Sequence, residues 1–188
     1  MGKKKIQNSA YLYPLPMVLV GATVEEKPNF MPIAWVSVAE YKPPMISISA
    51  AQNHYTNKGI RTHQTFSINI PSVKIVEKMD YCGMQSGEKI DKSGIFEVFY
   101  GDLENAPMIE SAPLNMECKV KKTIETGHGH EIFLGEVINS YANEEIIRDG
   151  IPNVKKLQPL MYITKDKEYW TLGEKFGKAW NIGRNYKE

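Results

Sequence analysis

The residues able to do chemistry fall in three places. Between Asn29 and Asn69, strand-like segments end in the short polar groups Ser37, Ser47, Ser49 and Asn69, around the run QNHYTNK at 52–58. That run brings together Gln52, Asn53, Tyr55, Thr56, Asn57 and Lys58. A phosphate monoester is held by several donors, by backbone N–H groups at a helix N-terminus and by a cation. Trp35 adds a flat apolar wall that suits a ring system. The same residues also read as an N-capped surface helix and a core tryptophan, and pattern alone leaves both readings open.

The second place is DYCGMQSGEKIDKSG at 80–94. Cys82 follows an expected helix over 73–81, at the end where the helix dipole disfavours a thiolate, although Lys89 and Lys92 could offset that. GMQSG is not a G-x-S-x-G nucleophile elbow, because Ser86 comes one position late. The other cysteine, Cys118, lies on the apolar face of a strand and reads as core. The third place is His128 and His130, spaced i, i+2. Only His54 and His63 join them, there is no C-x-x-C, and no metal site is expected. His128 reads as a polar turn residue and His130 as inward-facing.

These groups need elements to position them. MVLVGA at 17–22, IAWVSVAE at 33–40, MISISA at 45–50 and TFSINI at 65–70 read as strands, with a turn at Lys27-Pro28-Asn29. Asn53 is placed as the cap of a short helix to about Thr62. In Leu114–Val120, Leu114, Met116, Cys118 and Val120 face one way and the polar residues the other. With Glu131–Ser140 this strand forms a hairpin, and a later hairpin spans 161–172. Most periodic segments have period 2 and lie a turn apart. They predict a closed or nearly closed antiparallel barrel with small helical insertions. No βαβ alternation or G-x-G-x-x-G supports a Rossmann domain.

A chain of 188 residues suggests one domain, with 1–10 and 185–188 as peripheral tails. A net charge of +1 gives no electrostatic case for nucleic acid or anionic membrane. Asn8, Ser9, Pro14 and Pro16 interrupt any signal-peptide core, and Ile6 breaks a myristoylation motif. Two cysteines make no disulfide framework, so a reducing, cytoplasmic location is expected.

The ordered set MPIAWVSVAEYKPPMISISA, HYTNKGI, FSINIP, DYCGMQSGEKIDKSG, HEIFLGEV and YWTLGEKFGKAWNIG resembles the flavin reductase-like family. The resemblance covers roughly residues 11–184. It implies a mainly β, FMN-binding split barrel of Greek-key type, a homodimer, and FMN near the dimer interface. It implies that Asn29, Met31, Ala34, Trp35, Val36 and Ser37, with Ser49, Ala50 and Ala51, line the flavin ring and ribityl chain. His54, Tyr55, Thr56 and Lys58 would take the phosphate, and Asn69 would close the following strand. Cys82, Gly83 and Ser86 would approach the flavin, and His130 would line the reductase active site. The implied function is an FMN-dependent oxidoreductase that takes hydride from NADH or NADPH and passes electrons to flavin, ferric iron or a redox protein. The alternatives are a non-catalytic FMN electron carrier and a flavin-free β-barrel binding module.

Overall fold

The computed structural model describes residues 2–186; Met1, Lys187 and Glu188, parts of the expected tails, lie outside them. The chain opens with β1 (Leu15–Pro16), β2 (Val18–Val24), β3 (Lys27–Ile33), β4 (Val36–Tyr41) and β5 (Pro44–Ala51). Then come α1 (Tyr55–His63), β6 (Thr65–Ile70) and α2 (Val76–Met84). The short pair β7 (Val98–Phe99) and β8 (Met108–Ile109) precedes the long hairpin of β9 (Leu114–Glu125) and β10 (His130–Ala142). The last elements are β11 (Ile147–Arg148), β12 (Ile151–Pro152), α3 (Val154–Leu157), β13 (Leu160–Ile163) and β14 (Glu168–Thr171).

Seven strands make one sheet in the order β3-β2-β6-β9-β10-β5-β4, and every neighbouring pair is antiparallel. β13 and β14 join β1 in a separate three-stranded sheet. The expectation of a mainly β fold with a few short helices is met.

Strand β2 is buried along its whole length, and its alternation divides two cores. Val18, Val20 and Ala22 join Ile48, Ile60, Phe66, Ile68, Cys118 and Phe133 inside the curled sheet. Leu19 faces the other way, into a second core with Phe30, Ile75, Met79, Cys82, Phe96 and Ile109. Each fully buried Phe or Leu contributes about 1.5–3 kcal/mol relative to exposure. The second core holds α2 against the outer face of β3, and that contact sets one wall of the site described below.

Several boundaries differ from the sequence reading. The turn lies at Glu25–Glu26, where both residues have positive φ (49° and 62°), so Lys27–Asn29 are already in β3. Pro28 and Pro32 are tolerated there because β3 is an edge strand. The segment read as one strand over 33–40 breaks at Ala34–Trp35, and Trp35 is 56% exposed at the corner instead of buried. The cap of α1 is His54, not Asn53. The helix read over 73–81 is a 3-10 turn at Val73–Ile75 followed by α2, so Cys82 lies inside the last turn. On β9 the face read as polar is buried at Asn115 and Glu117. Glu117 is satisfied there by Asp102 N, Leu103 N, Asn139 and the Tyr141 hydroxyl. Those four bonds hold its carboxyl below the usual range against the opposing effect of burial, which is the largest single influence.

Candidate functional site

The chain leaves β5 at Ala51 and turns into α1 through His54, whose N–H donates to Ala51 O at 3.0 Å. His54 is extended (φ −64°, ψ 131°) and its side chain makes no capping bond. The N–H groups of Tyr55 and Thr56 therefore have no protein acceptor among the described residues. These are the orphan donors of a helix start, and the helix dipole adds positive potential there. Two contacts fix where α1 lies. Gly59 packs so closely on β2 that an added Cβ would strike the carbonyl of Thr23. Glu131, buried on β10, accepts from Asn57 Nδ2 at 2.7 Å and pairs with Arg61, which also reaches Gln52 O.

The orphan donors open into a cleft of about 400 Å³. Its walls are Asn29, Met31 and Pro32 of β3, Asn53–Thr56 at the start of α1, Cys82–Met84 at the end of α2, and Gln85–Gly87 with Lys92 from the loop beyond. No wall residue is acidic. Thr56 Oγ1 accepts from Asn29 Nδ2 at 2.7 Å, which leaves the threonine proton free to donate. Lys92 is 4% exposed and donates to Cys82 O at 2.7 Å and Phe30 O at 3.2 Å. Cys82 O is one of the orphan carbonyls at the end of α2, so the ammonium caps that helix and meets its negative end. The third Lys92 N–H has no acceptor among the described residues, and no carboxylate pairs with it. Burial pulls the Lys92 pKa down from the usual lysine value.

Two further groups are tuned by this surrounding. Desolvation against the cleft wall lowers His54 below the ordinary imidazole value, and His130 and Lys92 add like-charge repulsion. Burial pushes the Cys82 thiol up, with Lys92 opposing.

The cleft collects Asn29, Met31, His54, Tyr55, Thr56, Cys82, Gly83 and Ser86 from the residues singled out in the sequence. Close approach is built in at Gly83, where a Cβ would stand 2.8 Å from Pro32 Cγ. A second group gathers at the corner between β3 and β4. Trp35 and His130 meet edge to face, their centroids 5.8 Å apart. Ala51 pairs with His130 across β5 and β10, and Ser49 N donates to Trp35 O at 2.9 Å. Val36 packs on the inner core, Ser37 bonds Ser47 at 2.9 Å on the exposed edge, and Ala34 and Ala50 are buried.

Lys58 and Asn69 do not line the cleft. Lys58 pairs with Glu88 at 2.7 Å on the surface. Asn69 is fully buried, with both ends of its amide used by Leu19 O, Ser67, Ile109 N and Asn115. The cation at the cleft is Lys92 instead, and the available signal was its place in the long Gly/Ser loop. Among the described residues no group of three or more His, Cys, Asp or Glu is placed to hold a metal, and no helix is long and apolar enough to cross a membrane.

The fold is thus a mainly β sheet curled round its inner core, with an acid-free cleft at a helix start. The chain belongs to the flavin reductase like domain family, which matches residues 10–171. It is similar to the structure of flavoredoxin from Methanosarcina acetivorans, with 44% identity, a TM-score of 0.95 and 98% of each chain covered. It is also similar to flavoredoxin of Desulfovibrio vulgaris (Miyazaki F), with 32% identity, a TM-score of 0.90 and 97% and 100% coverage. An FMN-binding protein from Thermus thermophilus shares the fold at 24% identity and a TM-score of 0.80, covering 95% and 100%. Family and neighbours support a flavin-related oxidoreductase or electron-transfer role.

Proposed function

We propose that the protein is an FMN-dependent oxidoreductase that uses NADH or NADPH as reductant. The observation that carries this is the cradle at α1: two orphan N–H groups, a free Thr56 proton and a buried, carboxylate-free Lys92 on an acid-free wall. A phosphate monoester satisfies all of these at once. The flavin ring would then extend toward the Trp35–His130 corner, with Cys82 and Gly83 along its side. When bound, the flavin supplies the redox chemistry, taking hydride from nicotinamide and passing electrons to flavin, ferric iron or a redox protein. The chain's own share is to orient the ring, exclude water on the Cys82 side, and place positive potential where reduction leaves negative charge.

The exposed edge strand β4, with Val38 at 72% and Tyr41 at 85% exposure, supports a homodimer across this edge. So do Phe176 and Trp180, 95% and 94% exposed in the C-terminal arm. Two buried, unpaired cysteines fit a cytoplasmic location. The similarity to flavoredoxins favours one second reading, an FMN electron carrier without nicotinamide turnover.

The absorption spectrum of the purified protein, with its flavin-to-protein ratio, tests the flavin reading. Colourless protein that takes up no added FMN overturns it. Steady-state NADH or NADPH oxidation with free FMN separates the two readings, and no turnover without a protein partner favours the carrier. Light scattering tests the dimer.

A further inference from the structure

Behind the cleft of about 400 Å³ lies a second one of about 280 Å³. The two share Asn29, Tyr55, Gly87 and Lys92 in their walls, so these four residues stand between them. The fit there is close. A Cβ at Gly87 would lie 2.5 Å from Asn29 Oδ1 and would also strike the Tyr55 ring. The backbone at Gly87 therefore seats against Tyr55 and closes the gap.

The loop that carries Gly87 is strapped down from outside. Lys27 of β3 pairs with Asp91 at 2.6 Å, and Lys58 of α1 pairs with Glu88 at 2.7 Å. Lys58 Nζ also stands 4.8 Å from the centroid of the Tyr55 ring. Both pairs are exposed and add little to global stability. Their effect is positional: each ties the loop to one of the two elements that flank the partition.

Thr56 lines the first cleft and not the second, so its hydroxyl acts on that side, while Tyr55 and Lys92 stand at the boundary. A phosphate monoester held by Thr56 would end there. A second phosphate with a nucleoside attached has to pass the partition to reach the space behind it. We propose that the Tyr55–Gly87 partition, held by Lys27–Asp91 and Lys58–Glu88, makes this site selective for flavin mononucleotide over flavin dinucleotide. The second cleft is the space that a nucleoside would enter once the partition is opened. This rests on the flavin reading above.

The test measures dissociation constants for FMN, FAD and riboflavin by quenching of flavin fluorescence on the full chain. Wild type is expected to prefer FMN to FAD by about 100-fold, a steric exclusion of a few kcal/mol. Tyr55→Ala is expected to cut that ratio at least about tenfold by raising FAD affinity. The double variant Lys27→Ala/Glu88→Ala breaks both straps at exposed positions and is expected to lower the ratio in the same direction. It decides the matter if Tyr55→Ala does not fold. Equal wild-type affinity for FMN and FAD, or a ratio unchanged in folded variants, overturns the partition while leaving the flavin reading intact. Failure of all three flavins to bind overturns both.

Discussion

Thr56→Val is the sharpest probe of the cradle, because it removes one oxygen and keeps the shape. In the free protein that oxygen is the acceptor for Asn29 Nδ2 at 2.7 Å, and Asn29 is 4% exposed with no other acceptor for its amide among the described residues. An orphaned buried donor costs about 1–3 kcal/mol. For a chain of this size that is a fall in melting temperature of roughly 2–12 °C. In the complex the same substitution removes a hydrogen bond to a charged group, worth about 1.5–3 kcal/mol. FMN affinity should then fall roughly 10- to 150-fold. Riboflavin has no phosphate and should keep its affinity, apart from any loss that follows from the shifted Asn29. Titration calorimetry with both ligands, beside thermal melts of the free protein, separates the two effects. Thr56→Ser restores the oxygen and should restore both. Equal loss for FMN and riboflavin, or FMN binding untouched in a folded variant, refutes the phosphate assignment.

Further expectations follow from the same geometry. Lys92→Met removes a desolvated ammonium and orphans two carbonyls, so the free protein should change by only about 1 kcal/mol while FMN binding weakens at least about tenfold; thermal melts with and without FMN read both. His130→Ala should slow hydride transfer in stopped-flow with FMN still bound, and an unchanged rate reduces His130 to a packing partner of Trp35. The lowered His54 pKa means that the unfolded chain takes up its proton first as pH falls below 6.5. Stability of the free protein present above that value is lost as pH falls through the folded pKa, and His54→Gln should flatten the acid limb of melting temperature against pH. Burial pushes the Cys118 thiol up to about 12. Its thiolate fraction at pH 8 is then about 10⁻⁴. Mass spectrometry after iodoacetamide treatment should find neither cysteine labelled in the folded protein, and labelling of Cys82 refutes its burial.

Alternation made most strands legible: Thr65–Ile70 lies where period 2 puts it, and β5, β9 and β10 differ only at their ends. What alternation could not reach were features fixed by partners distant in sequence. A turn of two glutamates in positive φ carries no Asn-Gly signal, so the start of β3 was hidden. Pro28 read as a breaker because nothing local says that its strand is an edge. Asn69 and Lys58 had the right chemistry for a ligand, yet a buried amide network and a surface ion pair claim them. Lys92 looked like one charge among several in a polar loop. Only the fold brings it under α2, where the carbonyls of Cys82 on α2 and Phe30 on β3 make a buried ammonium tolerable.

The double burial of β2 bears on how the molecule comes apart. Leu19 and Val20 are consecutive residues, yet they belong to different cores. Neither core can loosen without pulling on a strand that the other holds. β3, which carries Asn29 and Met31 of the cleft wall, hydrogen-bonds to β2 along its length. The floor of the cleft is thus anchored in the strand least free to open. Amides along β2 should exchange with solvent only through global unfolding, and bound ligand should slow that exchange across the whole sheet. A flavin seated there would report on the integrity of the entire chain through its fluorescence, as a built-in gauge of cooperativity.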